Sequence, residues 1–356
     1  MAVYEVLWEG AGMVDRESRI AVVGAGAIGG ITAALMAKAG YSVEVVCKHR
    51  ELADTIRTAG LHVFGVKGDF TVSMPAVARI SELNKKKDVV FLATKATDML
   101  DAARDLLPFL SNSSVVVSMQ NGICEDALAR VVGRERTIGC VVGWGGTMHR
   151  PAELEITSTG EFIIGNIDNQ PDERLPPIKN MLEAVLPVEI SGNIMGSLYS
   201  KLIINSCITS LGAVCGLYLG EMLAVKKIRK IFVEVMREAI SVADAMGISV
   251  EVYAGKIDYY KLLSGAGLFD HLRRHLMIRL VGFKYRRLKS SMLQSLERGK
   301  PTEIDYLNGY ISDNGAKYGI PTPVNDMIIS IVKDIEIGEK DISPGNFDDP
   351  FFSRFG

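Results

Sequence analysis

Short apolar runs alternate with longer amphipathic stretches along the first half of the chain. Four of the runs are compact and rich in β-branched residues, which is typical of strands buried in a parallel sheet. They cover residues 19–23, 42–47, 88–93 and 114–118. Residues 30–40 show helical spacing, and Gly40 is well suited to end that helix. This alternation predicts a parallel sheet with helices on both faces.

The pattern changes further along. Residues 137–166 are rich in strand formers, and a helix over 177–185 and a strand over 188–190 are predicted to follow. Beyond Gly192 the apolar spacing is helical. The predicted helices cover about 196–218, 221–246, 250–263, 270–297, 302–318 and 323–337. The fold class is therefore α/β, with an N-terminal Rossmann-type parallel-sheet domain followed by an all-helical C-terminal domain.

The change near Ser191 and Gly192 sets the predicted domain boundaries. The four segments are an N-terminal extension (1–18), a Rossmann-type domain (19–191), a helical domain (192–338) and a C-terminal tail (339–356). The tail is rich in turn formers but carries four phenylalanines. We expect these apolar rings to dock the tail on the folded protein.

Composition excludes several classes of protein. The chain of 356 residues is long enough for two domains with separate cores. Its net charge of −2 gives no reason to expect a nucleic-acid partner. The five cysteines form no C-x-x-C pair, and the five histidines show no metal-ligand spacing. We therefore expect no disulfide framework, no metal site and a cytoplasmic location.

One apolar segment, residues 202–223, is long enough to raise the question of a membrane span. It contains Asn205 and Thr209, and Lys201 precedes it directly. Unpaired polar groups are unfavourable in lipid. We therefore predict a buried core helix and no membrane association.

A glycine-rich turn separates the first predicted strand from the first helix. It follows the pattern G-x-G-x-x-G and consists of Gly24, Ala25, Gly26, Ala27, Ile28 and Gly29. In this context the first glycine allows a tight turn, the second a close approach of the backbone to a pyrophosphate, and the third close helix–strand packing. The turn therefore predicts a dinucleotide site at the N-terminus of the helix.

The end of the second predicted strand bears on the choice of dinucleotide. An NAD enzyme usually places a carboxylate there to bind the ribose 2′-hydroxyl. This chain has Lys48 and Arg50 instead, which favours a 2′-phosphate and hence NADPH over NADH. The alternative is that both cations are solvated loop residues.

Further polar groups stand where a ligand is expected. Lys95 and Asn121 follow two predicted strands, and ligands bind at the carboxyl ends of parallel strands. Lys201, Asn205 and Thr209 are spaced four residues apart and share one face of a predicted helix. Two more polar motifs follow, S-S-M-L-Q over 290–294 and T-E-I-D-Y-L-N-G over 302–309.

In this order, these motifs resemble those of the ketopantoate reductase (2-dehydropantoate 2-reductase) family, over roughly residues 19–335. The resemblance implies an NADP-binding Rossmann domain and a helical domain with the catalytic and substrate groups. It also implies NADPH-dependent reduction of 2-dehydropantoate to pantoate, a step of pantothenate biosynthesis. The assembly state stays open, and a homodimer is the form considered.

The resemblance also carries over residue roles. Lys201 corresponds to the catalytic lysine that protonates the developing alkoxide, and Glu303 to the acidic residue that engages the substrate hydroxyl and helps to align the lysine. The remaining matches are Asn205, Ser291 and Asn121 for substrate and nicotinamide contacts, Lys48 for the 2′-phosphate and Lys95 close to the cofactor.

Two features depart from the family pattern. Thr209, a further substrate-binding candidate, stands where the family commonly has a second asparagine, and it offers one hydroxyl in place of an amide. Residues 255–289 form a longer and strongly basic stretch. This stretch is a solvated helix face, a subunit contact, a cap over the site or a binding site for an anionic group.

Three functions remain in view. The leading one is reduction of 2-dehydropantoate. The second is reduction of another small 2-keto acid by the same machinery, which the two departures favour. The third is NADP sensing without turnover, against which Lys201 and Glu303 argue, because a binding protein needs no proton donor.

Overall fold

The computed structural model describes residues 17–356, so nearly all of the predicted N-terminal extension lies outside the described part of the chain. The chain divides into two compact units. The first unit comprises the described residues up to Gln120 together with Cys124–Ile194. The second unit comprises Asn121–Ile123 and Met195–Gly356. The predicted fold class, a Rossmann-type sheet domain followed by a helical domain, is confirmed.

The strands of the described chain all lie in the first unit. They are β1 (Ile20–Val23), β2 (Val43–Val46), β3 (Leu61–Gly65), β4 (Phe70–Val72), β5 (Ala76–Val77), β6 (Lys87–Leu92), β7 (Leu110–Ser118), β8 (Thr137–Val142), β9 (Gly145–Arg150), β10 (Glu153–Ser158), β11 (Phe162–Asn166) and β12 (Val188–Ile190). Eight of them form the main sheet in the order β12-β11-β8-β7-β6-β1-β2-β5. Its core strands are buried on both faces, as the compact apolar runs predict.

The sheet differs from the prediction in two ways. The β11 strand runs antiparallel to β8, so the main sheet is mixed and not purely parallel. In addition, β4, β3, β10 and β9 form a separate four-stranded sheet. Its strands β3 and β4, like β5 of the main sheet, lie between the second and third predicted strands, where the alternating pattern predicts a helix alone. These strands are short and only partly buried, so their apolar signal is weak.

Five helices connect the strands of the first unit. They are α1 (Ala27–Lys38), α2 (Arg50–Thr58), α3 (Ala96–Leu106), α4 (Glu125–Val132) and α5 (Leu175–Glu183). The β1 strand pairs with β2 on one side and β6 on the other, so the strand order reverses at β1. In open α/β sheets ligands bind at the carboxyl edge of such a switch point. The turns after β1 and β6 begin at this edge.

The second unit is built from helices. They are α6 (Ile194–Cys215), α7 (Leu219–Ala224), α8 (Lys226–Ala245), α9 (Tyr259–Leu263), α10 (Leu268–Lys284), α11 (Ser291–Glu297), α12 (Asn308–Tyr318) and α13 (Pro323–Glu336). The first residue of α6, Ile194, groups with the first unit.

Several predicted helices are shorter than their apolar spacing indicated. The helix expected over 250–263 is reduced to α9, because Ala254 and Gly255 adopt positive φ angles in a tight turn between Tyr253 and Ile257. The helix expected over 270–297 breaks after α10, and the Ser290 hydroxyl accepts the Leu293 amide to begin α11. The helix expected over 302–318 begins instead as a 3-10 turn, Ile304–Tyr306.

Helix α6 has the length and apolar composition of a membrane span, but 83% of its most apolar 18-residue window is buried within the protein. Two hydrogen bonds connect α6 to other helices of the second unit. The Tyr199 hydroxyl donates to the Ala239 carbonyl at 3.0 Å. The Tyr259 hydroxyl donates to the Ser200 carbonyl at 2.7 Å. This burial supports the predicted core helix.

A buried polar network ties the helices of the second unit together. The Glu238 carboxylate, on α8, accepts the backbone amides of Val324 and Asn325 at the N-terminus of α13, at 2.8 and 2.9 Å. The Asn308 side chain, at the start of α12, donates to the Asn325 side chain at 2.9 Å and to the Ser206 carbonyl of α6 at 3.2 Å. Helix-terminal amides need such acceptors when they are buried. The network therefore positions α6 and the T-E-I-D-Y-L-N-G segment together.

The tail docks on the second unit, as its phenylalanines predicted. Phe347 and Phe352 are buried, and their rings make an edge contact at 5.5 Å. The Ser343 amide donates to the Val214 carbonyl near the end of α6. The Lys230 ammonium donates to the Gly356 carbonyl at 2.6 Å. The tail is thus an integral part of the helical unit.

Candidate functional site

The glycine turn has the geometry that a phosphate-binding turn requires. Gly24 has a φ of 108°, and a Cβ atom there would lie 2.7 Å from the Ala93 carbonyl oxygen that follows β6. A Cβ on Gly29 would lie 2.0 Å from the Gly24 carbonyl oxygen. Both positions therefore exclude any side chain, and α1 can approach β1 and β6 closely only because glycine occupies them.

Gly26 differs from its two neighbours in the motif. It is the N-cap of α1, and nothing lies within 4 Å of the place where its Cβ would be. The first turn of α1 contains no acidic residue and no side chain caps it. Exposed backbone amides beside open space favour an anion. The turn from Gly24 to Gly29 thus fits the pyrophosphate of a dinucleotide.

The two cations after β2 lie at the surface and each contacts a carboxylate. The Lys48 ammonium is 3.2 Å from the Asp98 carboxylate, and the Lys48 side chain is 75% exposed. Arg50, the first residue of α2, pairs with Glu82. Both side chains are long and only weakly held, because exposed ion pairs contribute little. Both are therefore able to reorient toward an anion, and Lys48 is the more exposed of the two.

The turn after β6 places Lys95 at the N-cap of α3, where the residue is exposed. The backbone of this turn is held by Gln120 from the end of β7. The buried Gln120 amide donates to the Leu92 carbonyl at 2.8 Å. This bond joins the ends of β6 and β7, and so fixes where the Lys95 turn and the Asn121 turn begin.

The sequence had not singled out Glu125, which completes this chain of hydrogen bonds. Glu125 opens α4 and is buried, and the Ser118 hydroxyl hydrogen-bonds its carboxyl group. Ser118 donates its single proton to the Gln120 side-chain oxygen at 2.9 Å. The Glu125 Oε2 atom is buried without a hydrogen-bond partner. A charge on this carboxyl group would therefore be poorly compensated, which favours its neutral form.

Burial acts in the same direction. Removal of the Glu125 carboxyl group from water disfavours its charged form and raises its pKa to about 7, against the lowering effect of hydrogen bonds from the backbone and Ser118. Burial therefore keeps the carboxyl group neutral below about pH 7. The local sequence, an acid in the first turn of a helix, indicates only a favourable helix charge. The burial that raises the Glu125 pKa arises only from the tertiary structure.

The Asn121 turn joins the T-E-I-D-Y segment within the second unit. Gly122 has a φ of 87°, and a Cβ atom there would lie 2.4 Å from the Tyr306 carbonyl oxygen. Only glycine permits this approach. The structure therefore brings together two motifs that lie about 180 residues apart in the sequence.

The polar stripe on α6 faces a less buried side of the helix. Lys201 and Asn205 are partly exposed in the middle of a helix whose other residues are mostly buried. Thr209 is 8% exposed, and its hydroxyl donates to the Asn205 carbonyl at 2.7 Å. The Thr209 proton is thus used within the helix, and its oxygen keeps only the capacity to accept.

Glu303 lies in a turn that is held from both sides. The Thr302 amide before it donates to the Glu336 carboxylate of α13 at 2.7 Å. Asp305 after it pairs with Lys333 of the same helix at 2.6 Å. Glu303 itself is partly exposed between these two anchors. Its backbone position is therefore set by α13, and not by a regular helix of its own.

Ser291 is exposed at the start of α11, next to the buried capping residue Ser290. A Cβ on Gly212 of α6 would lie 2.8 Å from the Ser290 Cβ. Gly212 follows Thr209 by one turn, so the start of α11 packs against the C-terminal half of α6. The second unit thus gathers α6, the Asn121 turn, the Glu303 turn and the start of α11, whereas the predicted cofactor residues other than Asn121 belong to the first unit.

The state of Glu125 makes a prediction about stability. Its folded pKa of about 7 exceeds its usual value of 4.5, so folding binds a proton. The contribution of this proton binding to the free energy of unfolding is complete below about pH 4.5 and is lost as the pH rises through about 7. Glu125→Gln, which is neutral at every pH, should lose this dependence and be more stable than the parent protein at pH 8. Urea denaturation midpoints at pH 5 and pH 8 measure this, and an identical pH dependence in both proteins would contradict it.

Two family models match the chain. Residues 20–169 match "Ketopantoate reductase PanE/ApbA", and residues 193–336 match "Ketopantoate reductase PanE/ApbA C terminal". A 2-dehydropantoate 2-reductase of Pyrococcus horikoshii is 28% identical over 319 residues, which cover 88% of this chain and 96% of the relative.

Solved structures extend the comparison. A PanE/ApbA family ketopantoate reductase from Ralstonia eutropha superposes with a TM-score of 0.78 at 29% identity, over 91% of this chain and 100% of that one. A D-mandelate dehydrogenase bound to NADH and anilino(oxo)acetate shares the fold with a TM-score of 0.77 at 23% identity, over 90% of this chain and 98% of that one. On these matches the chain belongs to the ketopantoate reductase family of oxidoreductases, which act on a CH–OH group.

Proposed function

We propose that this enzyme reduces 2-dehydropantoate to pantoate with NADPH. The observation that carries the proposal is the grouping, within the second unit, of the Lys201 stripe with the Asn121, Glu303 and Ser291 segments. These are the segments that resemble the family's substrate site. The relatives named 2-dehydropantoate 2-reductase support the choice of substrate.

Lys201 is the proton donor of the proposed reaction. Reduction of a keto group builds negative charge on its oxygen, and an ammonium group stabilises that charge and then releases a proton to it. Lys201 stands on the rigid helix α6 with its backbone fully inside a helix, so its Cα is well fixed. Its partial exposure leaves room for a small substrate on that face.

Glu303 and the neighbouring polar groups bind the rest of the substrate. Glu303 accepts a hydrogen bond from the substrate hydroxyl group, and the two contacts with α13 fix the position of its backbone. Asn205 offers an amide one turn from Lys201, and Ser291 a hydroxyl at a helix N-terminus, where a carboxylate is favoured. Asn121 lies in the turn held by Tyr306 and contributes a further amide toward the substrate and the nicotinamide.

The Gly24–Gly29 turn binds the pyrophosphate of the cofactor, and Lys48 binds its 2′-phosphate. When bound, the nicotinamide supplies a hydride to the keto carbon. Lys95, exposed at the N-cap of α3, adds a cation at the carboxyl edge of the sheet. Five free cysteines, all buried, fit a reducing cytoplasm as the place of the reaction.

One observation favours a second candidate, the reduction of a different 2-keto acid. The Thr209 hydroxyl donates to the Asn205 carbonyl and cannot also donate to a substrate. A family member with asparagine at this position has two amide protons available. A substrate with fewer hydrogen-bond acceptors than 2-dehydropantoate would suit the stripe of this chain.

The first experiment follows NADPH oxidation with 2-dehydropantoate and a panel of 2-keto acids that includes phenylglyoxylate and 2-ketoisovalerate. We expect kcat/KM for 2-dehydropantoate to exceed that for every other acid by at least about 100-fold, the discrimination that unpaired polar groups provide. A higher kcat/KM with another acid would replace the first candidate by the second. Tight NADPH binding without turnover of any acid would contradict both.

The proton-donor role predicts the behaviour of Lys201→Ala. Its kcat should fall by about 10²- to 10⁴-fold, the usual contribution of a general acid, while the Kd for NADPH changes little. Lys226→Ala, which removes a lysine from the exposed start of α8, is the matched control and should keep normal kcat. Near-normal turnover in Lys201→Ala would exclude the assignment.

The 2′-phosphate role predicts the behaviour of Lys48→Ala. Its Kd for NADPH should rise at least about tenfold, or about 1.4 kcal/mol, while its Kd for NADH stays within about twofold. Lys67→Ala, at another exposed position of the first unit, should change neither value. Fluorescence titration measures both constants, and equal losses for the two cofactors would contradict the role.

A further inference from the structure

Helix α10 has one face that the second unit does not cover. The buried face carries Arg274, Ile278 and Gly282, one turn apart, and packs inward. Arg274 is 1% exposed and donates to the carbonyls of Leu262, Leu263, Ser264 and Gly265 at 2.9 to 3.1 Å. The helix is therefore firmly attached, and the orientation of its outer face is fixed.

The outer face carries a continuous apolar stripe. Its members are large apolar residues that are 55% to 77% exposed, namely Phe269, Leu272, Leu276, Leu280 and Phe283. At about 100° per residue, all of them point within roughly 40° of the direction of Leu276. A monomeric protein rarely leaves such a stripe in water. We call these five residues the α10 stripe.

The α10 stripe is symmetric about Leu276. Leucines stand four residues to either side of it and phenylalanines seven residues to either side. A twofold axis through Leu276 would lay a second α10 antiparallel to the first, with Phe269 against the partner's Phe283 and Leu272 against the partner's Leu280. A twofold interface must be self-complementary in this way.

The exposed area is sufficient for a dimer. Together with its neighbours Leu268 and Met277, which are 89% and 45% exposed, the α10 stripe offers about 900 Å² if a fully exposed large residue presents about 200 Å². A stable interface buries about 800 Å² on each partner. Arg273 and Arg279 lie to either side of the stripe, so paired helices keep these charges at the solvated rim.

A groove at the C-terminal end of α10 fits the same arrangement. It has a volume of about 850 Å³ and is lined by Tyr218, Ala224 and Phe283 among others. In an antiparallel pair the partner's Leu268 and Phe269 reach the Phe283 end, where this groove lies. These are the two most exposed large apolar side chains of the helix.

We propose that the α10 stripe is the interface of a homodimer in which two copies of this chain pair their α10 helices antiparallel about Leu276. The basic stretch over 255–289 is then a subunit contact. The symmetry of the stripe favours a second copy over an anionic membrane, because a lipid surface imposes no symmetry on the positions of apolar residues.

Sedimentation of the full chain tests the assembly. At micromolar concentration, the molar mass obtained from sedimentation should be twice the chain mass of 38.7 kDa. Leu276→Asp places two like charges on the axis and should raise the dimer dissociation constant at least about 100-fold, as for a central interface residue. Ile337→Asp makes the same kind of substitution at a 71% exposed position outside α10, and it should leave the dimer dissociation constant unchanged. A monomeric parent protein would overturn the proposal, and so would an unaltered dimer in Leu276→Asp.

Cross-linking tests the antiparallel geometry. The five native cysteines are buried, so an engineered thiol is the accessible one. Leu276→Cys should cross-link to its partner with a short bis-maleimide. Leu268→Cys should not, because eight residues of helix separate it from the axis by about 12 Å, or about 24 Å between copies. Cross-linking of both variants indicates a parallel pair and overturns the geometry. If the parent protein is a monomer that binds phosphatidylserine vesicles, and Leu276→Asp abolishes this binding, the α10 stripe is a membrane-binding surface instead.

Discussion

A steric constraint at the start of α1 underlies the nucleotide half of this enzyme. The helix can begin directly above β1 only if Gly24 and Gly29 carry no side chains, because the carbonyl oxygens of Ala93 and Gly24 occupy the space where a Cβ would stand. The close approach brings the N-terminal amides of α1 to the carboxyl edge of the sheet. Gly26 remains open beside them, and an anion can therefore reach the backbone.

The requirement that buried polar groups find partners organises both units. In the first unit, the Ser118 hydroxyl donates to the Gln120 side chain, and the Gln120 amide donates to the Leu92 carbonyl, which sets the ends of β6 and β7. In the second unit, Glu238 and Asn325 connect α8 with α13. The side chains proposed to contact ligand stand on backbone that these networks help to position.

The α10 stripe shows the opposite situation, in which apolar groups lack a partner within the chain. On the inner face of α10, Arg274 donates hydrogen bonds to four backbone carbonyls. These bonds prevent the helix from rotating to bury the leucines of its outer face. A second copy of α10 would bury the apolar side chains of the outer face and leave the hydrogen bonds of the inner face intact. In the dimer that we propose, the interface lies on α10, and α6 is not part of it.

The sequence by itself determined the fold class, the nucleotide turn and the membership of the motifs in one family, because these depend on local periodicity and on residues within a few positions of one another. It also predicted that the phenylalanines of the tail would dock. It failed where the signal was tertiary. The weakly apolar strands β3 and β4 depend on pairing with each other and with β10. The predicted helices over 250–263 and 270–297 are interrupted near Gly255 and Ser290, although the apolar residues there keep a helical spacing. Only the tertiary structure decided that Glu125 is buried with a raised pKa, that Gly122 contacts the Tyr306 carbonyl and that the Thr209 hydroxyl donates to the Asn205 carbonyl. Burial and hydrogen-bond partners are properties of the folded surroundings, which segments distant in the sequence create.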